Sequence, residues 1–240
     1  MFLHWRLLGT WWSQHVLEAQ PASRLVFWAA SNVVLGMMVP AGLLFLSGRR
    51  LREMGMGRPN ELGWRFTLVG GLLSVPFGLW LVANAPQAVA EVWRDFLYVA
   101  PCAGAVIIAE HFLISGVFAV LMLPGRRLPA RAPIAPVGGA PIRRLLRWLG
   151  LAQPTDASNE PRVLAWFGLT KPALFGVVAS AVLFFTVHVG QDNQWLELVL
   201  SFPGGALMAY MTLRCRSIWP GVLAHYALNL IPLGLWLAFR

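Results

Sequence analysis

The sequence predicts an all-α fold, a polytopic membrane helix bundle. Three observations carry this reading. Of 240 residues, 58% are hydrophobic and only 12% are charged, whereas soluble domains run near ~25% charged. The apolar residues also gather into long runs, and a spanning helix needs roughly 20 of them. Six runs qualify: 25–46, 66–84, 96–123, 172–189, 195–213 and 218–239. The chain therefore divides into an N-terminal segment (1–24), spans one to three (25–123), an inner loop (124–171) and spans four to six (172–240), all within one membrane domain.

The basic excess, 19 Lys+Arg against 10 Asp+Glu, lies almost wholly between the runs, so nucleic acid is not the expected partner. With the N-terminus outside, the inside loops 47–65, 124–171 and 214–217 carry 5, 8 and 2 basic residues, 15 of the 19. Lys/Arg bias sets orientation in this way, and it predicts cytoplasmic basic loops in a cell membrane. Cys102 and Cys215 then fall at opposite ends of the bundle, beyond the reach of a disulfide.

The first 20 residues are too interrupted to span and contain no signal-peptide pattern. Three Trp with Arg6 and His15 predict an interfacial amphipathic helix, an anchor without chemistry. Spans one and two hold Asn32, Pro40, Gly70, Gly71 and Pro76 and read as scaffold, and the loop between them as basic and interfacial. The inner loop holds seven Pro and reads as a linker, except that residues 142–151 predict a short basic amphipathic helix on the membrane. In span five, Gly205 and Ala209 form a small-xxx-small pair suited to close helix packing.

Span three is 28 residues long, and its one charge, Glu110, lies at the middle. A carboxylate there costs at least ~2.5 kcal/mol on insertion scales, so an intramembrane Glu marks a functional site by default. Its companions inside spans are His111, His188, His225 and Asn229, the last two on one helix face at i, i+4. Each alone has a bland reading as a satisfied buried polar group. Together they form a parts list for activating water: a Glu as general base, a His sharing its proton, and a His with an amide donating to an oxyanion.

The order and spacing resemble a known family. Phe184-x-x-x-His188 followed by His225-x-x-x-Asn229 is similar to motifs two and three of the CPBP family, which includes type II CAAX prenyl endopeptidases and bacterial intramembrane proteases. The intervening PGGALMAY, LRCRS and IWPGVLAHYALNL are similar as well, and the resemblance covers roughly 99–230 apart from the inner loop. Motif one, two adjacent Glu, three residues and an Arg, corresponds to the stretch from Glu110 to Gly116. Its first Glu and the Gly after the Arg position are kept, but His111 replaces the second Glu and Ser115 the Arg. The family places a Glu helix, a His helix, a plain helix and a His/Asn helix in succession, as here.

The resemblance implies a bacterial glutamate-dependent intramembrane endopeptidase. Glu110 and His188 would activate water, with His225 and Asn229 as the oxyanion site. His111 and Ser115, again i, i+4, are expected to replace the lost pair with a neutral hydrogen bond. The implied partners are membrane lipid and a membrane-anchored protein or peptide substrate, with no cofactor. Zinc held by Glu110, His188 and His225 stays open as an alternative, the three being acceptable ligands in type. So do a non-catalytic CPBP-like protein with an immunity, binding or scaffold role, and a proton relay or small transporter. One tension is internal: at 1.5 Å rise per residue, His188 and His225 differ in depth by roughly 13 Å.

Overall fold

A computed structural model describes residues 26, 29–84, 96–123, 141–149, 167, 169–189 and 195–238. The expected N-terminal interfacial helix lies outside them, as does most of the inner loop. Every element among the described residues is helical. In chain order they are α1 (Ala29–Leu46), α2 (Glu61–Asn84), α3 (96–121), α4 (Pro141–Trp148), α5 (Lys171–His188), α6 (Trp195–Cys215) and α7 (Trp219–Ala238). Five of them, α1, α2, α3, α5 and α6, hold stretches long and apolar enough to cross a membrane. The sixth expected span is present as the 20-residue α7, which contains no Asp, Glu, Lys or Arg.

α3 is the hub of the bundle. It touches α1, α5, α6 and α7, while α2 packs chiefly along α7 and α5 along α6. Its residues Ile107, Phe112, Val117 and Val120 form the core with Met54, Ala209 and Ile218. Large apolar side chains elsewhere point outward: Leu43, Phe45 and Leu46 on α1, and Leu68, Leu72, Leu73 and Trp80 on α2. Apolar surface on this scale is what a lipid solvent permits and water does not.

Small residues set the closest approaches. A Cβ at Gly205 would fall 2.6 Å from the Phe184 Cβ, and Ala209 is fully buried, so the small-xxx-small pair does bring α6 against α5. Gly70 plays the same part for α2 against Ala224 of α7, at 2.6 Å.

Two elements depart from plain α-helix. In α1, residues Val34–Met38 are π-helical. In α3 the α-helix Phe96–Glu110 gives way to a π-helix over His111–Phe118 before a final α turn, Ala119–Leu121. The α1–α2 loop, expected to be merely interfacial, is partly core: Met54 is fully buried at the end of the 3₁₀ turn Leu51–Met54. The basic amphipathic helix is found at Pro141–Trp148. It docks on α2, where Arg65 donates to the Trp148 carbonyl at 2.9 Å, stands 5.5 Å over its ring and pairs with Glu61. Both cysteines are free, Cys215 buried and Cys102 half-buried.

Candidate functional site

The site begins where α3 changes helix type. Glu110 closes the α piece and His111 opens the π piece. A π-turn is rare and concentrates at functional sites. Glu110 is half-buried and engaged by a neighbouring group. His111 is buried to 1% exposure against α7. Gly221 makes room for it: a Cβ there would fall 2.6 Å from His111 Cε1 and 2.8 Å from its Nδ1. His111 Nε2 lies 3.4 Å from His225 Nδ1, with ring centroids 5.6 Å apart.

The expected His111–Ser115 hydrogen bond is not made. Both are buried, and neither His111 Nδ1 nor Ser115 Oγ has a hydrogen-bond partner among the described residues. The π-helix explains this. Its repeat bonds i to i+5, so residue i+4 no longer stands directly over residue i, and the pairing inferred from α-helical spacing fails.

α5 presents a ladder of residues at four-residue intervals, hence on one helix face: Gly176, Ser180, Phe184 and His188. A Cβ at Gly176 would lie 3.0 Å from the Ala119 carbonyl oxygen. Ser180 donates to the Ile114 carbonyl at 3.1 Å, inside the π segment. Phe184 is buried against Gly205, with its ring 4.5 Å from that of His188. His188 Nδ1 donates to the Phe184 carbonyl at 2.7 Å. A carbonyl only accepts, so the neutral ring carries its lone pair on Nε2; the partner of one ring nitrogen fixes the role of the other.

α7 supplies His225, half-buried, and Asn229 one turn further on, which is exposed. The depth difference expected from helical rise leaves His225 and His188 within electrostatic reach of each other. His225 of α7 thus contacts His111 of α3, next in sequence to Glu110, and interacts electrostatically with His188 of α5. The alternative zinc set does not fit so well. Among the described residues no three His, Cys, Asp or Glu side chains are arranged to hold a metal ion.

Three contributors escaped the sequence reading. Gly221 stands four residues before His225 and Ser180 four before Phe184, so the i, i+4 rule could have found both. The third is the Met54 carbonyl, against which a Cβ at Gly116 would collide. Gly116 is the glycine kept after the Arg position of motif one, and close backbone approach is its reason.

No curated protein and no solved structure matches the chain. A family model does: residues 146–231 match "Type II CAAX prenyl endopeptidase Rce1-like". The match takes in α5, α6 and most of α7, hence His188, His225 and Asn229, and leaves out Glu110 and the rest of α3. It coincides with the resemblance carried by motifs two and three. The chain is therefore an integral membrane protein of helical-bundle architecture whose residues 146–231 are similar to the type II CAAX prenyl endopeptidase Rce1-like family.

Proposed function

We propose that this chain is an intramembrane endopeptidase of the glutamate-dependent type. It hydrolyses a peptide bond in or near a membrane-embedded segment of an anchored substrate, in a bacterial cytoplasmic membrane with the basic loops on the cytoplasmic side. The observation that carries the reading is that His225, a motif histidine of the matched region, interacts electrostatically with His188, the other, and lies 3.4 Å from His111, the residue next to Glu110.

In this reading Glu110, with His188 Nε2, takes a proton from water, and the resulting hydroxide attacks the scissile carbonyl carbon. His225 and Asn229 donate to the oxyanion that forms. The proton then passes to the amide nitrogen as the C–N bond breaks, leaving a new carboxylate and a new amine. His111 acts as a positioning residue, fixing the ring of His225 through the 3.4 Å contact. A low-dielectric site strengthens each of these interactions.

The test is cleavage of a pool of membrane-tail peptides by the purified protein in detergent, read by mass spectrometry with and without chelator. The wild type is expected to cut in both conditions, while Glu110→Gln and His188→Ala fold but do not cut. Loss of cutting with chelator would restore the zinc reading.

A second reading, a non-catalytic CPBP-like membrane protein with a binding or scaffold role, is favoured by one observation. Where the family has a Glu and an Arg, this chain buries His111 Nδ1 and Ser115 Oγ without hydrogen-bond partners among the described residues. An inactive wild type together with a Glu110→Gln variant of higher melting temperature would select it.

A further inference from the structure

The second built feature of the molecule lies at its basic end, away from the histidines. There the α1–α2 loop and the α6–α7 turn enclose a cavity of about 540 Å³ lined by Arg52, Glu53, Gly57, Arg58, Cys215 and Arg216. Three guanidinium groups border it against one carboxylate. Among the described residues none of the three arginines has a salt-bridge partner; the ion pair at this end, Arg65–Glu61, lies outside the lining.

The walls are held rigidly. Ile218 N–H donates to the Gly55 carbonyl at 2.9 Å, the Ser217 hydroxyl to the Gly57 carbonyl at 2.7 Å, and the Asn60 side-chain amide to the Arg214 carbonyl at 3.1 Å. Arg216 has φ 55° and is the one non-glycine residue with positive φ among those described. A residue with a Cβ adopts that conformation only when its surroundings impose it, and such residues cluster at ligand clamps. Trp64, Trp148 and Trp219 lie toward this end of the bundle, and Trp64 is 58% exposed; Trp residues are enriched where membrane helices meet the headgroup region.

We propose that this cavity binds a phosphate group, presented by the headgroup of an anionic membrane lipid. Guanidinium groups match phosphate oxygens with paired, charge-assisted hydrogen bonds. Arg52 and Arg58 are exposed and Arg216 is half-buried, so all three guanidinium groups can reach one anion at the mouth of the cavity. The proposal stands independently of the peptidase reading.

The experiment titrates the full chain, purified in detergent, with short-chain phosphatidylglycerol, short-chain phosphatidylcholine and inorganic phosphate, and counts bound molecules by native mass spectrometry. Phosphatidylglycerol is expected to be retained over phosphatidylcholine. Its affinity should fall about tenfold in Arg58→Gln and in Arg216→Gly, the size of one charge-assisted hydrogen bond. Arg216→Gly relieves the positive φ, so its melting temperature should hold or rise, separating lost binding from lost fold. Arg144→Gln, an equal loss of charge on exposed α4, should change affinity less than about twofold. Binding of inorganic phosphate with the same dependence on Arg58 and Arg216, and no binding of phosphatidylglycerol, would keep the phosphate site but assign it a soluble source. Equal weakening by all three substitutions, or no binding of either anion, would overturn the proposal.

Discussion

α1 and α3 are both strongly apolar helices, and hydropathy barely separates them, yet they live in different solvents. In Ala29–Leu46 only 11% of the span is buried inside the protein, against 61% in Ala100–Leu121. The first turns its large side chains outward; the second is surrounded by four other helices. Apolarity alone therefore says that a helix crosses the membrane, not whether it faces lipid or protein. The signal that does is polar: α3 carries Glu110, His111 and Ser115, and groups of that kind are tolerable only where protein, not lipid, surrounds them.

The largest effect expected from this contrast is chemical. Glu110→Gln should lower peptide cleavage by about 10²–10⁴-fold with the melting temperature retained, measured on the peptide pool. A variant that still cuts would detach the buried helix from the chemistry.

Next comes packing. Gly116→Ala places a Cβ against the Met54 backbone carbonyl, and backbone yields less readily than a side-chain tip. A loss of about 3 kcal/mol is expected, read as a lower unfolding midpoint in detergent. An unchanged midpoint would mean that the loop is not seated on α3.

Ser180→Ala removes the donor to the Ile114 carbonyl and should cost about 1 kcal/mol, in the same assay. On the lipid-facing side, a Cβ at Gly71 in α2 meets nothing within 4 Å. Gly71→Ala is expected to raise stability slightly, by about 0.5 kcal/mol. If Gly71→Ala were as harmful as Gly116→Ala, that face of α2 would be packed against protein rather than open.

Most of the fold was legible because lipid demands one thing of sequence, an unbroken apolar run. All six runs became helices, with ends shifted by a few residues. α2 begins at Glu61 rather than at residue 66 because its first turn, with Glu61 paired to Arg65 at i, i+4, is polar and invisible to hydropathy. What stayed hidden depends on contacts between elements. Met54 reads as one more loop residue until Gly116 opens a place for its backbone. The π segment has no compositional mark; its sequence, HFLISGVF, would pass as α-helix, and what accompanies it is Ser180 reaching across from α5.

The candidate site divides in the same way. His188, His225 and Asn229 were legible as spaced motifs because α5 and α7 keep α-helical geometry through them. The His111–Ser115 pairing was misread because α-helical geometry stops at Glu110. The meeting of His111 with His225 went unread: the spacing puts Gly221 one turn before His225, but it does not say that α3 lies against that face.

The π segment also bears on how this protein can change over generations. Bonding i to i+5 instead of i to i+4 stores surplus chain within an otherwise regular rod. Losing a single residue from His111–Phe118 would let that stretch relax toward an ordinary α-helix, an alteration the bundle could absorb. Because the wide turn itself absorbs the extra residue, the flanking α pieces would keep nearly their present rotation, and the change would fall on the π stretch that begins at His111. A one-codon deletion here would thus be gentle on the path of the helix and felt first at the contact of His111 with His225, so the length of this stretch matters through the residues inside it rather than through the rest of the rod.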